Sequence, residues 1–268
     1  MVKVAVAQAH LQVGDVPANI SKTLNLIDTV SNLGAQVVVL PELANSGYVY
    51  QNKQELIKSL ENTDALQMWQ DKSKQYQNII VAGFAQVEGD KVYNRSAIID
   101  SGKILEIYTK VHLWDKEIGI FTAGNKAPKV VNSSIGKIST LICYDLEFPE
   151  YVRIPVIANV ELIVVPTNWP KGFYNRPTKE NYPMELIKAM AAAATNKIWI
   201  AICDRTGEER GVQWLESSCV INPDGWPVEL VGPGEGYAIQ DLDLSLAHDK
   251  AISPSNHIFN DRRNDLYK

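Results

Sequence analysis

Short runs rich in Val and Ile recur along the whole chain, at 2–8, 36–40, 79–85, 96–100, 104–109, 138–142, 162–166, 198–203, 218–222, 226–231 and 236–241, and they are bounded by Gly, Pro, Asn or Asp. Segments of that length and composition read as strands. They are too many for one simple parallel sheet, and this is the strongest constraint on the fold. Helical patterns lie between them. Residues 18–33 put Ile20, Leu24, Ile27 and Val30 on one face, with Gly34 placed to stop the helix. Further helices are predicted over 63–77, after Phe148-Pro149-Glu150, where proline and an acidic residue suit a first turn, and over 182–196. Ser101-Gly102-Lys103 and Pro223-Asp224-Gly225 read as hairpin turns. Antiparallel pairing is therefore mixed into a βα pattern, which favours α/β layers with mixed sheets.

A chain of 268 residues with 46% hydrophobic content can bury a substantial core, and it reads as one domain over 1–268. Lys and Arg total 26 against 31 Asp and Glu with no run of either sign, so the basic footprint of a nucleic-acid binder is missing. A small solute is the expected ligand. No stretch approaches the roughly 18 to 20 apolar residues of a membrane span. Residues 1–8 read as a first strand rather than a signal peptide, and a cytoplasmic location is expected. Cys143, Cys203 and Cys219 form no C-x-x-C pair, so neither a zinc site nor a disulfide framework is expected, and Cys203 and Cys219 are read as core.

Three of the apolar runs stop at residues that carry chemistry. Val37-Val38-Val39-Leu40 leads into Pro41-Glu42-Leu43, residues 104–109 lead into Lys110-Val111-His112-Leu113-Trp114, and Ile138-Ser139-Thr140-Leu141-Ile142 leads into Cys143-Tyr144-Asp145. Sites in layered α/β folds are built at such strand ends. The sequel of Cys143 predicts a strand-to-helix turn that holds a sulfur up and aims backbone N–H groups at a developing oxyanion. A thiol nucleophile needs a base. Of the four histidines, His10, His248 and His257 lie in separate polar contexts and His112 alternates with Lys110, so Glu42, after a fully apolar strand, is the better candidate. A partly dry environment would raise its pKa and fit it to exchange protons with a thiol. Lys110, held near a reacting carbonyl, could neutralise the oxyanion formed when sulfur attacks.

With these segments in this order, the chain resembles the nitrilase superfamily of carbon–nitrogen hydrolases, whose signature is a Glu-Lys-Cys triad. The likeness extends to Phe121-Thr122-Ala123-Gly124, Pro166-Thr167-Asn168-Trp169 and Asn260-Asp261-Arg262-Arg263-Asn264-Asp265-Leu266-Tyr267, so it covers nearly the whole chain. The resemblance implies a four-layer α-β-β-α sandwich with two mixed β-sheets, usually a homodimer. It also implies Glu42 as general base, Lys110 as stabiliser of tetrahedral intermediates, Cys143 as the site of a thioester, and Glu117 as a second glutamate that positions substrate and lysine. No metal or organic cofactor is implied. Tyr48, Asn168 and Trp169 match pocket-lining positions, and the backbone N–H of Tyr144 would be a second oxyanion donor.

The sequel Tyr144-Asp145-Leu146-Glu147-Phe148-Pro149-Glu150 looks like the amidase branches rather than true nitrilases. Amidases of carboxylate-bearing substrates tend to have arginine where this chain has Glu147, and a like charge there would repel a carboxylate tail. The expectation is a neutral or cationic carboxamide. An N-carbamoyl-amine hydrolase, an ω-amidase-like enzyme, a nitrilase and a non-catalytic scaffold are the alternatives, in falling order.

Overall fold

The computed structural model describes residues 1–61, 63–172 and 182–267. Its strands, in chain order, are β1 (Val2–Gln8), β2 (Val37–Val39), β3 (Ile79–Glu88), β4 (Lys91–Asp100), β5 (Lys103–Thr109), β6 (Val131–Ser133), β7 (Gly136–Thr140), β8 (Leu162–Pro166), β9 (Trp199–Cys203), β10 (Glu208–Glu209), β11 (Val212–Gln213), β12 (Cys219–Ile221), β13 (Pro227–Leu230), β14 (Gly236–Leu242), β15 (Ala251–Ser253) and β16 (Asn256–His257). The helices are α1 (Val16–Asn32), α2 (Lys53–Ser59), α3 (Ala65–Tyr76), α4 (Pro149–Ile157) and α5 (Met184–Asn196).

Two six-stranded sheets form the centre, ordered β14-β1-β2-β3-β4-β5 and β13-β12-β9-β8-β7-β6. In the first, β1, β2 and β3 are parallel and their outer neighbours pair antiparallel. The second repeats the scheme with β7, β8 and β9 as its parallel core. Both predicted hairpin turns join antiparallel pairs, β4 to β5 and β12 to β13.

Strand alternation builds the layers, because successive side chains point to opposite faces. Val4, Val6, Val37, Val39, Val81 and Ile98 meet Ile138, Leu162, Val164, Ala201 and Val220 between the sheets. On the first sheet's other face, Ala5, Ala7, Val38 and Ile80 pack under Ile20, Ile27 and Trp69 of α1 and α3. On the second sheet's other face, Ile163, Val165, Ile200 and Ile221 pack under α4 and α5 through Val152, Val156, Leu186, Ala189 and Ala193. The architecture is the expected α-β-β-α sandwich. Cys203 lies buried between the sheets and Cys219 buried beneath the helices, as core residues.

The differences from the sequence reading have local causes. The first helix starts two residues before the predicted 18, because Asp15 caps it by accepting from Ala18 N at 3.2 Å and Pro17 suits its first turn. Helix α2 was not predicted: it is seven residues long and buries Leu56 alone, too little for a visible period. The short β6 and the hairpins β10–β11 and β15–β16 were missed for the same reason. Residues 168–181 read from the sequence as the longest irregular stretch, and from residue 173 on they lie outside the described residues.

The first sheet also fixes the entry to the site. Gly83 of β3 donates to Pro41 O and accepts from Ala44 N at 2.7 Å, holding the turn that carries Glu42. A Cβ on residue 83 would sit 2.5 Å from Glu42 Cα and 2.7 Å from Pro41 O, and both neighbours are backbone. Gly83→Ala should therefore displace the Glu42 turn and cost about 1–3 kcal/mol in urea unfolding. An unchanged unfolding midpoint would show that the turn has room.

Candidate active site

Three loops bring the predicted triad together at the strand ends. Glu42 follows β2, Lys110 ends the β5 segment, and Cys143 follows β7; all three are buried. Lys110 Nζ donates to Glu42 Oε1 at 2.7 Å and to Glu117 Oε1 at 2.8 Å. Glu117 sits in a 3-10 turn, Asp115–Gly119, where its second oxygen accepts from Trp114 N at 2.8 Å. Asn94 Nδ2 of β4 donates to Glu42 Oε1 at 2.7 Å, whereas Glu42 Oε2 has no hydrogen-bond partner among the described residues.

Burial dominates the electrostatics. It raises the Glu42 carboxyl to about 7 against the pull of the Lys110 ammonium. It also pushes the Cys143 thiol well above its usual value, with the Glu42 charge acting in the same direction and Lys110 opposing. Burial pulls the Lys110 ammonium down, but the Glu117 and Glu42 carboxylates outweigh it and hold Lys110 well above the ordinary lysine range. At neutral pH the site therefore holds a protonated thiol, a charged lysine and a carboxyl poised to exchange a proton.

Cys143 has φ 47°, a left-handed backbone that a residue with a Cβ adopts at a cost. It opens a 3-10 turn, Cys143–Glu147, that runs into α4 at Pro149. This is the strand-to-helix elbow expected from the sequence. The first N–H groups of a helical turn have no partner within it, and the Tyr144 N–H belongs to that first turn. The thiol donates to Asn168 O at 3.9 Å, and Asn168 Nδ2 donates to Glu42 O at 2.9 Å, so Asn168 bridges the loops that carry Glu42 and Cys143. Trp169 is buried in the cluster that contains Cys143.

Burial, with the nearby Glu117 carboxylate acting in the same direction, pushes the Tyr48 phenol well above its usual value. Tyr48 and Glu117 also line a small cavity of about 60 Å³ with Tyr50, Trp114, Phe121 and Val212. Glu147 does not stand as a bare charge. Its carboxylate pairs with Lys188 of α5, which balances the repulsion expected from the sequence.

Sequence reasoning missed several residues that hold this geometry. Asp145, fully buried, accepts from His112 N at 3.0 Å, Tyr108 OH at 2.8 Å and Ile142 N at 3.2 Å, and its Oδ1 lies 2.7 Å from His112 Nδ1. It ties the lysine loop to the cysteine elbow. His112, stacked on Phe148 at 3.9 Å, serves that tie rather than the thiol. Asn94 was hidden because strand β4 was read as starting at 96; the full strand puts Val92, Asn94, Ser96 and Ile98 on one buried face. Among the described residues no group of three or more His, Cys, Asp or Glu side chains is arranged to hold a metal ion.

The sequence model of the carbon-nitrogen hydrolase family matches residues 3–251. The chain belongs to the carbon-nitrogen hydrolase family. Among similar proteins, a nitrilase from Pyrococcus abyssi is 30% identical over 271 residues, covering 100% of this hydrolase and 99% of its own length. A 2-oxoglutaramate amidase from Bacillus subtilis is 31% identical over 265 residues, 97% of each chain. A mutant of the amidase from Nesterenkonia sp. AN1, in which acrylamide has added to the active-site cysteine, superposes with a TM-score of 0.78 at 25% identity, over 93% of this chain and 96% of that one. The chain is therefore a nitrilase-superfamily hydrolase acting on carbon–nitrogen bonds other than peptide bonds.

In this hydrolase Asp145→Asn should turn an N–H toward groups that already donate. The expected loss is about 1–3 kcal/mol in urea unfolding, with slower alkylation of Cys143. Wild-type values for both would remove Asp145 from the site's support.

Proposed function

We propose that this hydrolase is a cysteine-dependent amidase of small neutral or cationic carboxamides that works through a thioester on Cys143. The observation that carries the reading is the buried Lys110 ammonium clasped between Glu42 and Glu117 beside a thiol on a strained elbow. Glu42, raised to about 7 and with Oε2 unpartnered among the described residues, takes the thiol proton as sulfur bonds to the amide carbon. The carbonyl electron pair moves onto oxygen, where Lys110 and the Tyr144 N–H meet the charge. Glu42 passes the proton to the amide nitrogen, the C–N bond breaks, and ammonia leaves a thioester. Water then attacks, giving its proton to Glu42. The C–S bond breaks, the carboxylic product leaves, and the proton returns to sulfur. Glu117 keeps Lys110 charged and aimed.

The small cavity shared by Tyr48 and Glu117 supports a compact acyl group, since its walls include Val49, Ile120, Phe121 and Pro170. A second reading, a carboxylate-bearing amide, is supported by the Lys188 cation beside Glu147 and by the likeness to the 2-oxoglutaramate amidase. An N-carbamoyl-amine would use the same triad and add carbon dioxide to the products. We also propose a homodimer joined through the outer helices, where Ile154 and Ile157 of α4 and Ile187 of α5 are exposed.

The test is ammonia release over neutral, cationic and carboxylated amides, carbamoyl-amines and nitriles, beside Cys143→Ala. Turnover of neutral or cationic amides, lost in the variant, is expected; preference for carboxylated amides would replace the first reading by the second. The pH profile has a definite sign. Glu42 must be ionised to act, so kcat/KM should fall below an apparent pKa of about 7. Cys143 and Lys110 are both held well above their usual values, so no alkaline limb is expected near neutrality. An acid limb near the ordinary glutamate value of 4.5 would contradict the role given to Glu42.

A further inference from the structure

One buried ion pair is not used by the chemistry above. Arg205, fully buried just after β9, donates from Nη2 to Glu209 Oε1 at 2.9 Å and to Leu11 O at 2.5 Å. Its guanidinium lies 4.6 Å from the Trp214 ring. The other oxygen of Glu209 accepts from the backbone N–H groups of Tyr48, at 2.8 Å, and Val49, at 2.7 Å. Two amides could be satisfied by a neutral acceptor, and burying an ion pair is costly, so its retention points to fixed placement more than to stability. The close approach is specific. Residue 47 is glycine with φ 79°, and a Cβ there would lie 2.6 Å from Glu209 Oε1 and 2.5 Å from Val13 Cα.

The clamp reaches the reaction centre through one side chain. Trp214, beneath Arg205, meets the Tyr48 ring edge-on at 5.6 Å. Tyr48 and Glu117 line the same small cavity, and Glu117 Oε1 holds Lys110 Nζ at 2.8 Å. We propose that Glu209, anchored by Arg205, is a positioning residue for amide hydrolysis that fixes Tyr48 against Glu117 and so sets where the Lys110 ammonium meets the oxyanion. The inference rests on the amidase reading but can be read without turnover, because placement of the site also governs how fast Cys143 reacts with an amide-bearing electrophile.

The experiment compares Glu209→Gln, Tyr48→Phe and the double variant, with Glu208→Gln, an exposed neighbour, as control. It follows Cys143 alkylation by iodoacetamide using intact mass, kcat and KM for ammonia release, and the melting temperature. Misplacement by a fraction of an ångström predicts about tenfold slower alkylation and about tenfold lower kcat in each single variant, with KM nearly unchanged. The double variant should fall no more than about twofold below the slower single one, because both act through the same contact. A folded Glu209→Gln protein with wild-type alkylation overturns the proposal, as do fully additive losses in the double variant. If Glu209→Gln does not fold, Tyr48→Phe decides: it leaves the ion pair intact, and wild-type alkylation in that variant overturns the proposal. A wild-type protein that releases no ammonia from any amide, yet whose alkylation slows in these variants, sinks the amidase reading and leaves Glu209 as a positioning residue of the Cys143 site for another reaction.

Discussion

A lysine ammonium with no solvent around it is the constraint on which the site depends. Lys110 is fully buried, and two carboxylates reach it within 2.8 Å. Removing one partner of such a cluster costs about 3–5 kcal/mol, because the remaining charge stays buried without compensation. The surroundings are arranged accordingly. Asn94 donates to Glu42, and Trp114 N donates to Glu117. With two carboxylates sharing one cation, Glu42 is not fully compensated, and burial leaves it able to carry a proton near neutrality. The same desolvation that strains the cluster fits Glu42 to exchange a proton near neutrality.

The sandwich supplies the rigidity this requires. Parallel strands in both sheets send their C-terminal ends toward one edge, so residues far apart in sequence arrive as neighbours without long flexible loops. The contacts that lock them are mostly backbone or fully buried: Gly83 against the Glu42 turn, Asp145 across the lysine loop and the elbow, and Asn168 between the Glu42 and Cys143 loops. A site held by packed strand ends keeps reacting groups within the narrow tolerance that covalent catalysis needs.

Much of this was legible in the sequence because strand periodicity and strand-end chemistry are local signals. Glu42, Lys110 and Cys143 each end an apolar run, and the elbow was written in Cys143 through Pro149. What stayed hidden depends on contacts between distant segments. Glu147 reads as a lone negative charge until α5 brings Lys188 to it. Asp145 reads as a turn residue until His112 and Tyr108 close on it. Asn94 was lost to a strand boundary, Arg205 carried a weak signal at most, a charged residue just after the apolar strand that ends at Cys203, and Glu209 sits in the two-residue strand β10, too short to read.

The central claim is that this buried cluster drives acyl transfer to Cys143, and the most direct measurement is the intact mass of the protein quenched in acid during turnover of a small carboxamide. The account predicts an adduct on Cys143 equal to the substrate less ammonia in the wild-type protein, and its loss in Glu42→Gln, which lacks the base that takes the thiol proton. Steady ammonia release with no adduct on Cys143 in the wild-type protein would contradict it.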